Sequence, residues 1–239
     1  MRLEDKKTEE EVKTEEVPTE EVEAIEEDSL VGGNNFIVLS PPASSAPPID
    51  DEPKIRTIGL IGEINEEKST DIIYSMLVMK QTSKKEVAVD PEKPELGTKT
   101  EVEPFEMLIS TYGGSAFEML GIYDTMRRIK EDCPIATFGT GKVMSAGVLL
   151  LAAGTKGMRK IGANCRVMIH DIKGGAGGDV ADLENEVEEM KWMQDKYIQL
   201  LADNSDMTKN YIKKLLKKKV NVYWSAEQAV EYGLADEVF

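Results

Sequence analysis

Ile135-Ala-Thr-Phe-Gly139-Thr-Gly141-Lys-Val-Met-Ser145-Ala-Gly147-Val-Leu-Leu-Leu-Ala-Ala153 is the stretch on which the fold turns. It begins as a short aliphatic and aromatic run, 135–139, crosses two glycines, and ends in an apolar segment, 145–153, that suits a short buried helix. A buried strand feeding a buried helix is a βα unit, and similar runs at 57–61, 106–110 and 165–169 read as further strands closed by glycine or polar turns. Between them, 115–131 carries Met119, Ile122, Tyr123, Met126 and Ile129 at three- and four-residue spacing, one apolar stripe along a helix that packs on a sheet. The fold class is therefore α/β.

Downstream, 179–204 reads as a longer helix with Val180, Leu183, Val187, Met190, Met193, Tyr197 and Leu200 on one face and acidic residues opposite. A stripe of this kind is ordinary packing before it is a cofactor box. A further helix is predicted from Thr208, with Ile212, Leu215 and Leu216 inward, so the basic cluster 213–219 reads as a solvated face. Ser225-Ala-Glu-Gln228 is a capping box opening a short helix that ends near Gly233. The polar segment 80–104, with Pro91, Pro94 and Gly97, fits neither period and is expected to be a long surface insertion.

The chain has 239 residues and a net charge of −16, of which residues 1–28 alone contribute 13 acidic and 4 basic side chains. Residues 1–53, Glu-rich and then rich in Ser, Pro, Gly and Asn, read as a disordered leader; the apolar stretch 36–39 inside it could dock or stay solvated. Residues 54–239 form the folded domain. An acidic chain is a poor partner for phosphate backbones, so nucleic acid is not expected. No run approaches the ~20 apolar residues that span a bilayer, and the acidic N-terminus is unlike a signal peptide. A soluble cytoplasmic protein is expected, with Cys133 and Cys165 as reduced core thiols.

His170 is the one histidine of the sequence, at the end of the strand 165–169 and before a loop with Gly174, Gly175, Gly177 and Gly178. A histidine-dependent mechanism has only this residue to use. One histidine and two dispersed cysteines also leave a zinc site short of ligands, and no metal or cofactor is expected. Ser145 stands where strand 135–139 passes into the apolar helix, at a helix N-terminus whose free N–H groups could stabilise an oxyanion. From position alone it reads more readily as an N-cap than as a nucleophile. The turn Gly113-Gly114-Ser115 lies at another strand-to-helix junction, where missing β-carbons admit a close backbone approach.

Six segments then occur in one order: Thr111-Tyr-Gly-Gly-Ser115, Ile122-Tyr-Asp-Thr-Met126, Gly141-Lys-Val-Met-Ser-Ala-Gly147, Ala152-Ala-Gly-Thr-Lys-Gly-Met-Arg159, Arg166-Val-Met-Ile-His170 and Ser225-Ala-Glu-Gln-Ala-Val-Glu-Tyr-Gly-Leu-Ala-Asp236. Over residues 54–239 the chain resembles the proteolytic subunit of the ATP-dependent Clp protease. The resemblance implies the ClpP/crotonase-like repeated β-β-α superhelix with a protruding handle helix, here the helix from Asp179. It also implies a serine endopeptidase with Ser145 as nucleophile, His170 as general base, and the N–H groups of Gly114 and Ala146 as oxyanion hole. Gly174, Gly175 and Gly177 correspond to the segment that pairs with an extended substrate. The implied partners are unfolded polypeptides, further copies of the chain in two stacked seven-membered rings, and an AAA+ unfoldase of the Clp type.

Where the family has its third catalytic residue, an aspartate, counting back from Ser225-Ala226 gives Asn221. An amide can accept the imidazole N–H but offers no charge, so reduced activity is expected. Asp171 is no substitute, because its side chain should leave the strand on the side opposite His170. Tyr112 in place of the motif's proline, and Asp171-Ile172 in place of Gln-Pro, suggest altered substrate positioning. The competing readings are a weakly active or structural subunit of a mixed Clp ring, and a viral-type maturation protease. Acyl-CoA chemistry on a crotonase-like fold is disfavoured, since it needs no serine and histidine in this arrangement.

Overall fold

The structure, a computed structural model, describes residues 55–175, 177–218 and 220–239. The acidic leader, its 36–39 stretch and Lys219 of the basic cluster lie outside the described residues. In chain order the elements are β1 (Thr57–Ile64), α1 (Glu66–Gln81), β2 (Lys84–Ala88), β3 (Thr98–Val102), β4 (Phe105–Gly114), α2 (Ala116–Lys130), β5 (Ile135–Met144), α3 (Ala146–Ala152), β6 (Arg159–Ile161), β7 (Arg166–Ile169), α4 (Val180–Asp203), α5 (Lys209–Leu216), β8 (Val222–Trp224), α6 (Ala226–Glu231) and β9 (Glu237–Val238).

The fold is mixed α/β around a mostly parallel sheet. Strands β1, β4, β5, β6 and β9 neighbour one another in that order, all parallel, and β7 joins β5 in parallel while β8 closes antiparallel on β7. Strand β5 forks. Its first half, Thr137 to Gly139, pairs with β6, and its last residues, Lys142 to Met144, pair with β7. The fork falls at Gly139 and Gly141, the latter at φ 62°, a left-handed conformation that glycine adopts freely. It puts the end of β7 beside the end of β5. The sequence-derived strands 57–61, 106–110 and 135–139 are shorter than the real ones because the glycines that follow or close them read as stops, whereas 165–169 matches β7 to within one residue. In fact β4 and β5 run on through register shifts to Gly114 and Met144.

Helix α3 is buried along its whole length, as a helix that is apolar all round must be. It packs with Leu60, Met107, Ile109, Ile122 and Met126 in the core. Gly147 makes this approach possible, since a β-carbon there would strike the Thr111 methyl of β4. At the far end of α3, Arg159 pairs with Asp236 at 2.6 Å and donates to the carbonyls of Ala152, Asn204 and Gly233. One side chain thereby joins the ends of three helices to the C-terminal strand.

Two regions differ from the sequence reading. The stretch 80–104, in which no period is visible, completes α1 and then forms the antiparallel hairpin β2–β3. Its alternation is hidden because its lysines, glutamates and threonines are nearly all exposed, so neither face demands apolar residues. Arg56 clamps the base of this hairpin, donating to the carbonyls of Met79, Thr82, Glu103 and Pro104. The apolar stripe of α4 packs only at its C-terminal end, where Tyr197, Ile198 and Leu201 are buried; Val180, Leu183 and Val187 are exposed. The helix expected from near Thr208 is α5, capped by that residue's side chain, and the expected cap of α6, Ser225, is present with its side-chain bond. No helix among the described residues is long and apolar enough to cross a membrane.

Candidate active site

Three neighbouring strands, β4, β5 and β7, present their carboxyl ends at one edge of the sheet, where open parallel sheets hold their ligands. From β4 come Gly113 and Gly114, from β5 comes Ser145, and from β7 comes His170. A cavity of about 400 Å³ opens there, and Gly114, Ser145, Ala146, His170, Gly174 and Gly175 all line it. Six of the eight sequence-derived candidates thus meet in one place. Gly177 does not line the cavity and is exposed.

Ser145 has φ 54° and ψ −121°, and it is the one non-glycine residue with positive φ among the described residues. An L-residue there carries strain of about 1–3 kcal/mol, which the surroundings must hold in place. They do so from two sides. The Ser145 N–H donates to the Met168 carbonyl of β7 at 2.7 Å, and its own carbonyl accepts from Val148 N–H at 3.0 Å and from the Tyr197 hydroxyl at 3.1 Å. The Ser145 hydroxyl makes no capping bond to α3, although the residue occupies the N-cap position. The capping alternative therefore does not describe this serine. Gly113 makes room for it: a β-carbon on Gly113 would come within 2.6 Å of the Ser145 β-carbon, and 3.1 Å of its Oγ.

His170 is half-buried, and its Nδ1 lies 2.5 Å from the main-chain oxygen of Asp171. A carbonyl oxygen can only accept, so Nδ1 carries a proton, and in the neutral ring the lone pair is then on Nε2. This is the tautomer a general base needs. No hydrogen bond joins Ser145 Oγ to the imidazole in this structure, and such bonds commonly tighten only with substrate in place. The loop after His170 is tied to α4 by the Ile172 N–H, which donates to Gln194 Oε1 at 2.6 Å.

Asn221 is exposed and outside the cavity, and its amide lies 3.4 Å from the Tyr223 hydroxyl. The antiparallel pairing of β7 with β8 ends at Ile169 opposite Val222, so Asn221 stands one step beyond, across from His170. Its side-chain amide bonds to Tyr223 and not to the imidazole. Reasoning on side chains alone missed the group that does contact Nδ1, since the Asp171 carbonyl belongs to the main chain. No residue type advertises such a contact.

The rest of the wall is apolar on one side, with Phe117, Met119, Ile172, Met190 and Met193, while Lys173 and Glu186 add opposite charges. The thiols lie elsewhere, buried and unpaired with each other. Burial pushes the Cys165 thiol up to about 11, which leaves it little thiolate at neutral pH. Compared with known families, residues 95–239 match the model of the Clp protease, a span that covers well over half of the sequence and every residue lining the cavity; the chain belongs to the Clp protease family.

Proposed function

We propose that the chain is the proteolytic subunit of a Clp-type serine peptidase, hydrolysing peptide bonds of unfolded polypeptides through an acyl-enzyme. Ser145 Oγ attacks the scissile carbonyl while His170 Nε2 takes its proton. The N–H groups of Gly114 and Ala146 receive the oxyanion. His170 then returns the proton to the leaving amine, and water repeats the sequence on the acyl-serine. Gly174, Gly175 and Gly177 offer an edge for an extended substrate, and the Phe117, Met119, Met190 and Met193 wall favours an apolar side chain before the cleaved bond. No step calls for a metal or cofactor.

The observation that carries this reading is the backbone of Ser145. A strained, uncapped serine on a cavity wall shared with the sole histidine is costly to keep and has no structural use. Its test is labelling with a fluorophosphonate probe, with Ser145→Ala and His170→Ala as controls and assembly checked by sedimentation. Labelling that requires both residues supports the reading, and an assembled wild type that takes no label overturns it.

Around that chemistry we infer the family's superhelical β-β-α repeat, with α4 as its handle, and assembly of the chain into two stacked seven-membered rings. We also infer a cytoplasmic setting and an AAA+ unfoldase that feeds the chamber. The exposed Val180, Leu183 and Val187 on α4 support contact with further copies. A second reading, a weakly active or structural subunit of a mixed ring, is favoured by one observation. Asn221, which we assign to the third catalytic position, is uncharged and points to Tyr223. Activity measured with and without an active partner subunit separates the two.

A further inference from the structure

The bonds that hold Ser145 in its strained conformation are of different kinds. The Met168 carbonyl on the Ser145 N–H is sheet continuation, and the Val148 N–H on its carbonyl is the first bond of α3. The third bond, from the Tyr197 hydroxyl, is made by a side chain from another element. Tyr197 is 3% exposed, and burial pushes its phenol well above the usual range, so the hydroxyl remains a proton donor across the range in which a peptidase works. Tyr197 also lines the cavity.

A trans peptide unit is planar, with its C=O and the following N–H on opposite sides. Whatever fixes the Ser145 carbonyl therefore fixes the Ala146 N–H. We propose that Tyr197 is a positioning residue of the peptidase: its hydroxyl, by holding the Ser145 carbonyl, locks the 145–146 peptide plane and aims the Ala146 N–H at the oxyanion. The inference rests on the function proposed above and extends it to a residue that the helical stripe assigns to packing. A hydrogen bond on the carbonyl also polarises the peptide, which strengthens its N–H as a donor. Without it, the carbonyl keeps only the Val148 N–H, and the strained unit is less firmly held against rotating towards a more ordinary conformation that carries the N–H off target.

The variant Tyr197→Phe keeps the ring and removes the hydroxyl. Removing an oxyanion donor outright costs about 10²–10³ in kcat; misdirecting one is expected to cost about tenfold. The expected pattern is a tenfold lower kcat with KM within twofold of wild type, and a peptide aldehyde, whose adduct places an oxyanion in the same site, weakened in proportion. Introducing p-aminophenylalanine at 197, which restores a donor, should recover most of kcat. An unchanged kcat in assembled Tyr197→Phe overturns the proposal, and so does a loss shared by KM and the unfolding midpoint that the donor does not rescue. If the wild type neither labels nor turns over, the peptidase reading itself fails. The crystal structure of Tyr197→Phe then decides the geometric part: an unaltered 145–146 peptide overturns it, and a rotated one supports it.

Discussion

Two serines stand at equivalent junctions in this molecule, each where a parallel strand of the same sheet passes through glycine-bearing sequence into a helix. Ser115, between β4 and α2, has φ −58° and ψ 129°, and its hydroxyl accepts from the Glu118 N–H at 3.3 Å. It is an ordinary cap. Ser145, between β5 and α3, has positive φ and leaves its helix uncapped. The same residue type at the same kind of junction thus satisfies the backbone in one case and is held against it in the other. What separates them is whether the hydroxyl is used locally, and that decides which one is free for chemistry.

The contrast is best broken by exchanging what each serine loses. Ser145→Ala is expected to abolish labelling and lower hydrolysis by about 10⁶, the scale on which removing a triad nucleophile acts. Ser115→Ala should leave labelling untouched; parallel losses in the two variants would refute the distinction. Gly113→Ala should come next, since its new methyl would press on the Ser145 β-carbon at 2.6 Å, and misplacement on that scale costs about 10² in kcat. A near-normal rate in that variant would show that Ser145 need not sit where it does.

Asn221→Asp should raise kcat by about tenfold. Restoring the aspartate of the template could in principle return far more, but the Asp171 carbonyl already selects the imidazole tautomer, which leaves mainly the charge to be gained. Steady-state kinetics on the assembled variant would decide it, and an unchanged or lower rate would count against the missing charge as what limits the enzyme. The smallest effects are on stability. Ser115→Ala should lower the unfolding free energy by about 1 kcal/mol through the lost cap. Ser145→Gly should exceed Ser145→Ala by about 1 kcal/mol in denaturant melts, because glycine relieves the positive φ that alanine must keep. Equal melts for that last pair would mean that Ser145 stores no strain.

Much of the site could be read in the sequence, for identifiable reasons. Apolar runs interrupted by glycine mark parallel strands at their carboxyl ends, which is where Gly114, Ser145 and His170 converge. The Ser225–Gln228 capping box and the inward face of α5 are equally plain, being local chemistry. The tautomer of His170 was not legible, because a main-chain oxygen sets it. The strain at Ser145 was hidden as well, since φ is fixed by partners on β7 and α4 that lie far off in sequence. Tyr197 looked like one more apolar position of its helix, and only its hydroxyl shows otherwise. The β2–β3 hairpin escaped notice because a strand pair with little burial on either face has no apolar alternation to display.

That hairpin has one further consequence. The Glu103 N–H donates to the Ser83 carbonyl at 2.8 Å, and Arg56 grips both flanks of the excursion through Thr82 and Pro104. The chain therefore departs from the body and comes back at the same doorstep, and the rest of the molecule spans no gap on its account. In the language of architecture it is a removable module: an unrelated segment spliced between Ser83 and Glu103 would inherit a ready-made socket, and the sheet beneath would not register the exchange.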